Sequence, residues 1–432
     1  MNLDIAVVIL NYIQYVNIIP GINALVKRGY KVDIYCPKIT TNDGFDDMYN
    51  DNIKLLKKNG YNVYSKTNKK KYKILLEPYP YLNILSQYRI RYRYSNISAK
   101  PNIVYKPENY LWYDAILCSG KYESNLLSVF SKTFNTGNML FQEFKKSKKR
   151  TNGKKNLIYL PTYGSESSIE LVYESLELLK DHYNIITKIH HGTTFLKDEK
   201  NRILKLKKVS DEFYDCKKDL CELLSIADVV LTDNSGAIFD CLYAKVPVAS
   251  FCDNINKNKL INFDTTQFSL FKKGILPYSN KISDLRNLLS EAQNDKIIKL
   301  QNQWATENFH YSKDAINEFV NVIKKFLEDN IDFDYIKMHE ILREEYIYNL
   351  NERKRACELD DKNNSLMQKN EQLELELKSK NTNIEDLMGE NSLLQKINND
   401  YKSELDVYRK GKLYKIATKI YSFKGKLLCK KK

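Results

Sequence analysis

ADVVLTDNSGAIFDCLYAKVPVASF, residues Ala227 to Phe251, is the stretch that decides the fold. Val229 to Thr232 is a short apolar run of the kind that forms a buried strand. Asp233-Asn234-Ser235-Gly236 is a sharp polar turn, helical spacing follows, and a second strand begins after Pro247. A fully apolar strand, a turn, a helix and another apolar strand make the βαβ pattern of a parallel sheet. The spacing predicts that Asn234 or Ser235 caps the helix and aims free N–H groups and the positive helix end above the strand. A hydroxyl, a glycine permitting close approach and those N–H groups together suit a phosphate. Asp240, one helical turn after Gly236, is expected to face the same ligand.

The same alternation runs outward in both directions. After the turn, helices are predicted within Ile282–Leu327. Before it, Asn156–Leu160 is strand-like, Ser168–Lys180 helical, Tyr183–Ile189 strand-like and Leu220–Ile226 helical. An earlier series begins with strand-like Ile5–Leu10, helical Ile18–Lys27 and strand-like Val32–Cys36. It continues through strand-like Tyr61–Tyr64, Ile74–Leu76 and Ala115–Cys118. A basic segment with Asn and Gly, Lys145–Lys155, separates the two series and has linker composition. The fold class expected is therefore α/β, with two Rossmann-like domains in the GT-B manner, 1–144 and 156–329, joined by the linker 145–155. The ligand cleft is expected between the halves, where the strands end.

From about Asn330 glycine and proline nearly vanish. Leu359, Leu366, Leu373, Leu387, Leu394 and Tyr401 share one heptad position, broken by Lys380. Asn363, Asn370, Leu377, Ile384, Asn391 and Asn398 follow four residues behind. Leucine at d with recurrent asparagine at a predicts a long helical segment, 330–408, that pairs as a parallel two-stranded coiled coil, and hence a homodimer. No acidic residue follows Arg409, and Leu413, Ile416, Ala417 and Ile420 share one helical face. That predicts a basic amphipathic tail, 409–432, lying on an anionic membrane surface.

Composition narrows the function. The chain has 432 residues, 43% of them hydrophobic, enough for two real cores. Its net charge of +15 is concentrated in the linker and the tail. No nucleic-acid motif accompanies those clusters, so no nucleic-acid partner is expected. The 8 cysteines form neither a CxxC pair nor a ligand set with histidine, which argues against a disulfide framework and a zinc site. The N-terminus lacks a basic n-region, and no apolar run is long enough to span a bilayer. A cytoplasmic protein, peripheral at the inner face of the plasma membrane, is expected.

Three segments of the second half end strands at the predicted cleft. YLPTYGSESS (Tyr159–Ser168) places Thr162 after its strand, and KIHHGTTF (Lys188–Phe195) places Lys188 and His190 before Gly192. The third is the opening turn, with Asp233, Ser235, Gly236 and then Asp240. Lysine, hydroxyls and a helix start converging there would hold a diphosphate, and an imidazole could move a proton.

TDNSGAIFD resembles the TDYSSxxFD motif of the CDP-glycerol glycerophosphotransferase family, the teichoic-acid polymerase-like enzymes. LPTYG is similar to that family's APTWR-type segment and KIHHG to its K-x-H-P segment, in the same order, over roughly Asn156–Phe326. In the first half, Tyr88–Tyr94 (YRIRYRY) and Asp114–Ser124 resemble an N-terminal region of some members. The resemblance implies transfer of an alditol phosphate from a CDP-activated donor to a hydroxyl of a cell-surface glycan or teichoic-acid-like polymer, with release of CMP. It implies no metal and no cofactor. It places Ser235, Gly236 and Asp240 on the phosphates and glycerol-like part of the donor, Thr162 beside the diphosphate, and His190 as the catalytic-site histidine. Two departures stand out. The family's HG histidine of the first half has no counterpart, since no histidine precedes His182, and Gly164 and Ser165 stand where an arginine follows the PT segment. A nucleotide-sugar transferase or UDP-N-acetylglucosamine 2-epimerase-like enzyme is the alternative on the same fold, with a comparable TDSGG turn. The acidic residues that follow that turn in epimerases are here Ile238 and Phe239, then Asp240. The lost histidine also leaves open an inactive, dimeric, membrane-associated scaffold.

Overall fold

Two parallel sheets carry the fold in a computed structural model, which describes residues 4–37, 46–66, 70–80, 83–94, 109–147, 153–252, 267–411, 415, 416, 418 and 419. The chain divides into two compact units, Met1–Arg343 and Glu344–Lys432. Within the first unit, the opening half runs β1 (Asp4–Val8), α1 (Tyr12–Lys27), β2 (Lys31–Tyr35), α2 (Asp46–Lys58), β3 (Val63–Tyr64) and β4 (Lys71–Glu77). It continues with β5 (Leu85–Arg91), β6 (Ala115–Cys118), α3 (Lys121–Leu127) and β7 (Lys132–Asn135). The strand order is β3-β2-β1-β4-β5-β6-β7, with every pairing parallel.

The following half runs β8 (Lys155–Leu160), α4 (Ile169–Leu179), β9 (Tyr183–Lys188), α5 (His191–Phe195), α6 (Lys200–Val209), β10 (Glu212–Tyr214) and α7 (Leu220–Ile226). Then come β11 (Val229–Thr232), α8 (Ala237–Tyr243), β12 (Val248–Phe251), α9 (Gln267–Lys272) and β13 (Tyr278–Ser279). Its order is β10-β9-β8-β11-β12-β13, again all parallel. The opening stretch is thus β11-α8-β12, as its pattern predicts. Each sheet reverses its winding once, between β1 and β4 and between β8 and β11, and such a reversal opens a crevice at the carboxyl ends of the two strands.

Helices α10 (Leu285–Ala292), α11 (Asp295–Asn308) and α12 (Ala315–Leu327) complete this half of the chain. Periodicity finds them but not their destinations. α12 carries Phe319, Val320, Ile323 and Phe326 into the core of the first sheet, with Ile5, Val7, Ile74 and Ile90. A Cβ on Gly21 of α1 would meet the Phe319 ring at 2.6 Å, so that crossing requires a glycine there. Tyr122 of α3 stacks on Phe239 of α8 with centroids 4.3 Å apart, adding a second apolar tie between the two halves.

β5 and β7 are strands that the apolar pattern does not announce. β5, LSQYRIR, is polar because it buries charge: Arg89 bonds Glu77 at 2.8 Å, the Glu77 side chain is fully buried, and Arg91 is buried at the strand's end. The predicted basic linker falls partly at 148–152, outside the described residues, and its last residue, Lys155, begins β8.

α13 (Phe333–Lys410) begins in the first unit and makes up most of the second. In the first unit its His339 Nε2 donates to the Phe130 carbonyl at 2.7 Å, and Arg343 bonds Asp114 at 3.0 Å. In the second unit every side chain described from Arg353 to Val407 is exposed, including heptad positions Leu359, Leu366, Leu373 and Leu387. The long helix is as predicted. Of the predicted tail face, Leu413, Ala417 and Ile420 lie outside the described residues, as do residues 421–432.

Candidate active site

The loops after β8 and β11 meet because one carboxylate holds both. Asp233, directly after β11, accepts the Thr162 N–H at 2.9 and 3.0 Å on its two oxygens and the Ser168 N–H at 3.2 Å. It is 1% exposed, and it lies beneath the cavity wall. The turn beyond it differs from the predicted cap. Gly236 occupies the N-cap of α8 and no side chain caps the helix. Asn234 instead bonds Gln267 and Glu166, while the Ser235 Oγ accepts the Ala237 N–H at 3.3 Å. The asparagine is drawn off because partners from α9 and from the loop before α4 reach it first.

At the end of β9, His190 is the N-cap of α5, and its Nδ1 accepts the Gly192 N–H at 3.1 Å. A backbone N–H can only donate, so Nδ1 presents its lone pair and the neutral ring carries its proton on Nε2. The Tyr163 ring stacks on the imidazole, centroids 4.7 Å apart and 14° from parallel. A Cβ on Gly192 would collide with that tyrosine ring, so the glycine lets the two loops touch. Gly164 has φ +69°, which a glycine adopts without strain, at the position where the resembling family has arginine.

These loops border a cavity of about 380 Å³, within the size range of small-ligand sites. Thr162, Lys188, His190, Ser235, Gly236 and Asp240 all line it. Six of the seven predicted site residues therefore share one wall, and Asp233 supports them from behind. The opposite wall comes from the first half: Asn11 and Tyr12 after β1, Tyr79 after β4, Arg91 and Tyr94 at the end of β5, and Tyr110. The cavity thus sits at the winding reversals of both sheets.

Electrostatics couple the walls. Arg93 bonds Asp240 at 2.9 Å and the Asn17 side chain at 3.1 Å. Burial pushes the Asp240 carboxyl above the usual range for aspartate, against the pull of Arg93. Burial also pushes the Lys188 ammonium below the usual lysine range. Sequence reasoning singled out no residue of the first-half wall, and Arg91 and Arg93 are the charged residues it missed there. Their signal was the alternation within YRIRYRY, which sends Arg91 and Arg93 to one side of the strand end. Among the described residues no group of three His, Cys, Asp or Glu side chains is placed to hold a metal ion. No helix among them is long and apolar enough to cross a membrane.

Residues 130–299 match the model of the CDP-Glycerol:Poly(glycerophosphate) glycerophosphotransferase family. The resemblance read from TDNSGAIFD is borne out, and the matched region includes every predicted site residue. Solved structures with the same two-domain architecture include S. aureus MnaA in its co-structure with UDP, 12% identical, covering 75% of this chain and 97% of that one, at a TM-score of 0.50. The wall teichoic acid polymerase TagF is 14% identical, with 77% of this chain and 90% of that chain covered, at a TM-score of 0.47. A glycosyltransferase from Rickettsia africae is 10% identical, with 76% and 100% covered, at 0.43. None of the curated protein sequences compared with the chain matches it.

Proposed function

We propose that the protein is a glycerophosphotransferase-like enzyme that moves an alditol phosphate, glycerol phosphate first, from a CDP-activated donor to a hydroxyl of a cell-surface glycan or teichoic-acid-like acceptor. The observation that carries this reading is the meeting of the three family-like segments on one cavity within the matched region. In the proposed step the acceptor oxygen bonds to the distal phosphorus. The bond from that phosphorus to the bridging oxygen breaks, and its electron pair leaves with CMP.

Ser235, Gly236 and Thr162 would seat the diphosphate, and Lys188 would balance the charge that builds on it. His190 would hydrogen-bond the leaving phosphate oxygen through Nε2–H and stabilise the charge that builds there, since Nδ1 is already committed to Gly192. Asp240, on the same wall and with a raised pKa, would take the acceptor's proton in place of the missing first-half histidine. In this reading 1–144 is the acceptor-side domain and 156–329 the donor domain. The heptads pair two copies, and the basic tail holds the dimer at the inner face of the membrane.

The test is CMP release from CDP-glycerol with membrane extract as acceptor source. His190→Ala should nearly abolish release while leaving donor binding measurable by calorimetry. Unchanged turnover in that variant removes His190 from the step, and release of UDP or UMP from a UDP-sugar instead would replace the donor.

A further inference from the structure

Among the described residues, cations around the cavity are paired, with two exceptions. Arg93 is held by Asp240, Lys218 by Glu222, Lys217 by Asp51 and Arg89 by Glu77. Arg91, on the cavity wall and 7% exposed, has no ion-pair partner and no hydrogen-bond acceptor for its guanidinium among the described residues. Its one contact of note is the Tyr110 ring, 5.6 Å away. Glu123 acts on it electrostatically without an ion pair, giving one oxygen to the Ser119 N–H and hydroxyl. The second exception is Lys188, from the end of β9 in the other half, which lines the same cavity and likewise bonds no described acceptor.

A guanidinium taken out of water without acceptors is costly, and a sheet end does not need an arginine. With its Cζ over the Tyr110 ring and its side chain on the cavity wall, Arg91 has a planar fork of N–H donors available to a ligand. That fork matches two oxygens of one phosphate. Of the carboxylates on the wall, Asp240 is bonded to Arg93 and Asp219 accepts the Cys221 N–H, so neither pairs with Arg91.

We propose that Arg91 is the first half's phosphate-binding residue, gripping from across the cleft an oxyanion that Lys188 meets from the second half. The inference rests on the cavity being a phosphate-ligand site, as the function above requires, but not on the donor being CDP-glycerol. The oxyanion is a phosphate group of the donor's diphosphate or of a phosphorylated acceptor, and Arg91 then selects for an anion where a neutral sugar would leave it unpaired.

Calorimetry of inorganic pyrophosphate binding to the full chain tests this, with wild type beside Arg91→Gln and Arg91→Lys. Arg91→Gln should weaken binding roughly tenfold or more, because charge-assisted bonds are lost. Arg91→Lys, which keeps the charge but loses the fork, should fall between the two, and it serves if the glutamine variant melts before the wild type. Wild-type affinity in both variants, or a wild-type protein that does not bind pyrophosphate, overturns the proposal. Both sources of the phosphate support it and are told apart with CDP-glycerol: weakened CDP-glycerol binding assigns the oxyanion to the donor. Unchanged donor binding with a raised acceptor KM assigns it to the acceptor. Loss of pyrophosphate binding in a protein that never releases CMP keeps the site and discards the proposed donor, whereas normal turnover by Arg91→Gln keeps the function and discards the site.

Discussion

Replacing Arg93 by methionine removes a buried ion pair that ties the two walls of the cleft. Its side chain is 7% exposed and that of Asp240 16%, which puts the pair in the buried class rather than among surface pairs. Removing one partner of a buried pair costs about 3–5 kcal/mol. Lys188 still acts on Asp240 electrostatically, so the lower end, ~3 kcal/mol, is expected here. At ~2–4 °C per kcal/mol for a large domain, the melting temperature should drop by roughly 6–12 °C.

The pH dependence has a definite sign. Burial raises the Asp240 pKa in the folded state, and Arg93 is the largest influence holding it down. Without Arg93 the folded pKa rises further above the unfolded value. A carboxyl of this kind contributes its full stability below the unfolded pKa and loses it as pH rises through the folded pKa. The deficit of Arg93→Met should therefore be small in mild acid and grow towards neutrality. Urea unfolding followed by circular dichroism, on Arg93→Met, Asp240→Asn and the double variant between about pH 4 and 8, covers the relevant window. A coupling energy of about 2 kcal/mol is expected. Additivity to within ~0.5 kcal/mol, or a deficit independent of pH, would refute a functioning pair across the cleft.

Gly192→Ala puts a methyl group into the Tyr163 ring and must displace it from His190; turnover should fall by about an order of magnitude or more, with stability reduced by ~1–3 kcal/mol. Asp233→Asn removes one of the two carboxylate oxygens that hold the Thr162 and Ser168 N–H groups, so unfolding should become easier by ~1–3 kcal/mol and donor affinity should weaken with it. In sedimentation the full chain should run as a dimer. Leu366→Lys with Leu373→Lys should make it a monomer without changing its melting temperature below residue 344; a dimer that survives both lysines would free the heptads from that role.

Strand, turn and helix from Val229 to Tyr243 were legible because a fully buried parallel strand is an unbroken apolar run and its exit is marked by polar turn residues. The same local rules placed Lys188 and His190 at a strand end, and they located the long helix after Asn330. β5 was missed because its arginines are buried, Arg89 against Glu77 and Arg91 at the cavity, and what surrounds a residue in space is not written beside it. For the same reason the cap was left between Asn234 and Ser235, whereas Gln267 and Glu166 draw Asn234 away and the Ser235 Oγ accepts the Ala237 N–H.

Local periodicity therefore determined the elements around the opening stretch, and with them the wall of the site that one half supplies. The tertiary structure alone decided that the first half supplies the other wall. Arg91 and Asp240 stand 149 positions apart and face one cavity only because both sheets reverse their winding there. The α12 core contact and the Arg93–Asp240 bond likewise join the two halves. Such meetings depend on which strands pair in space, and no short window of sequence carries that.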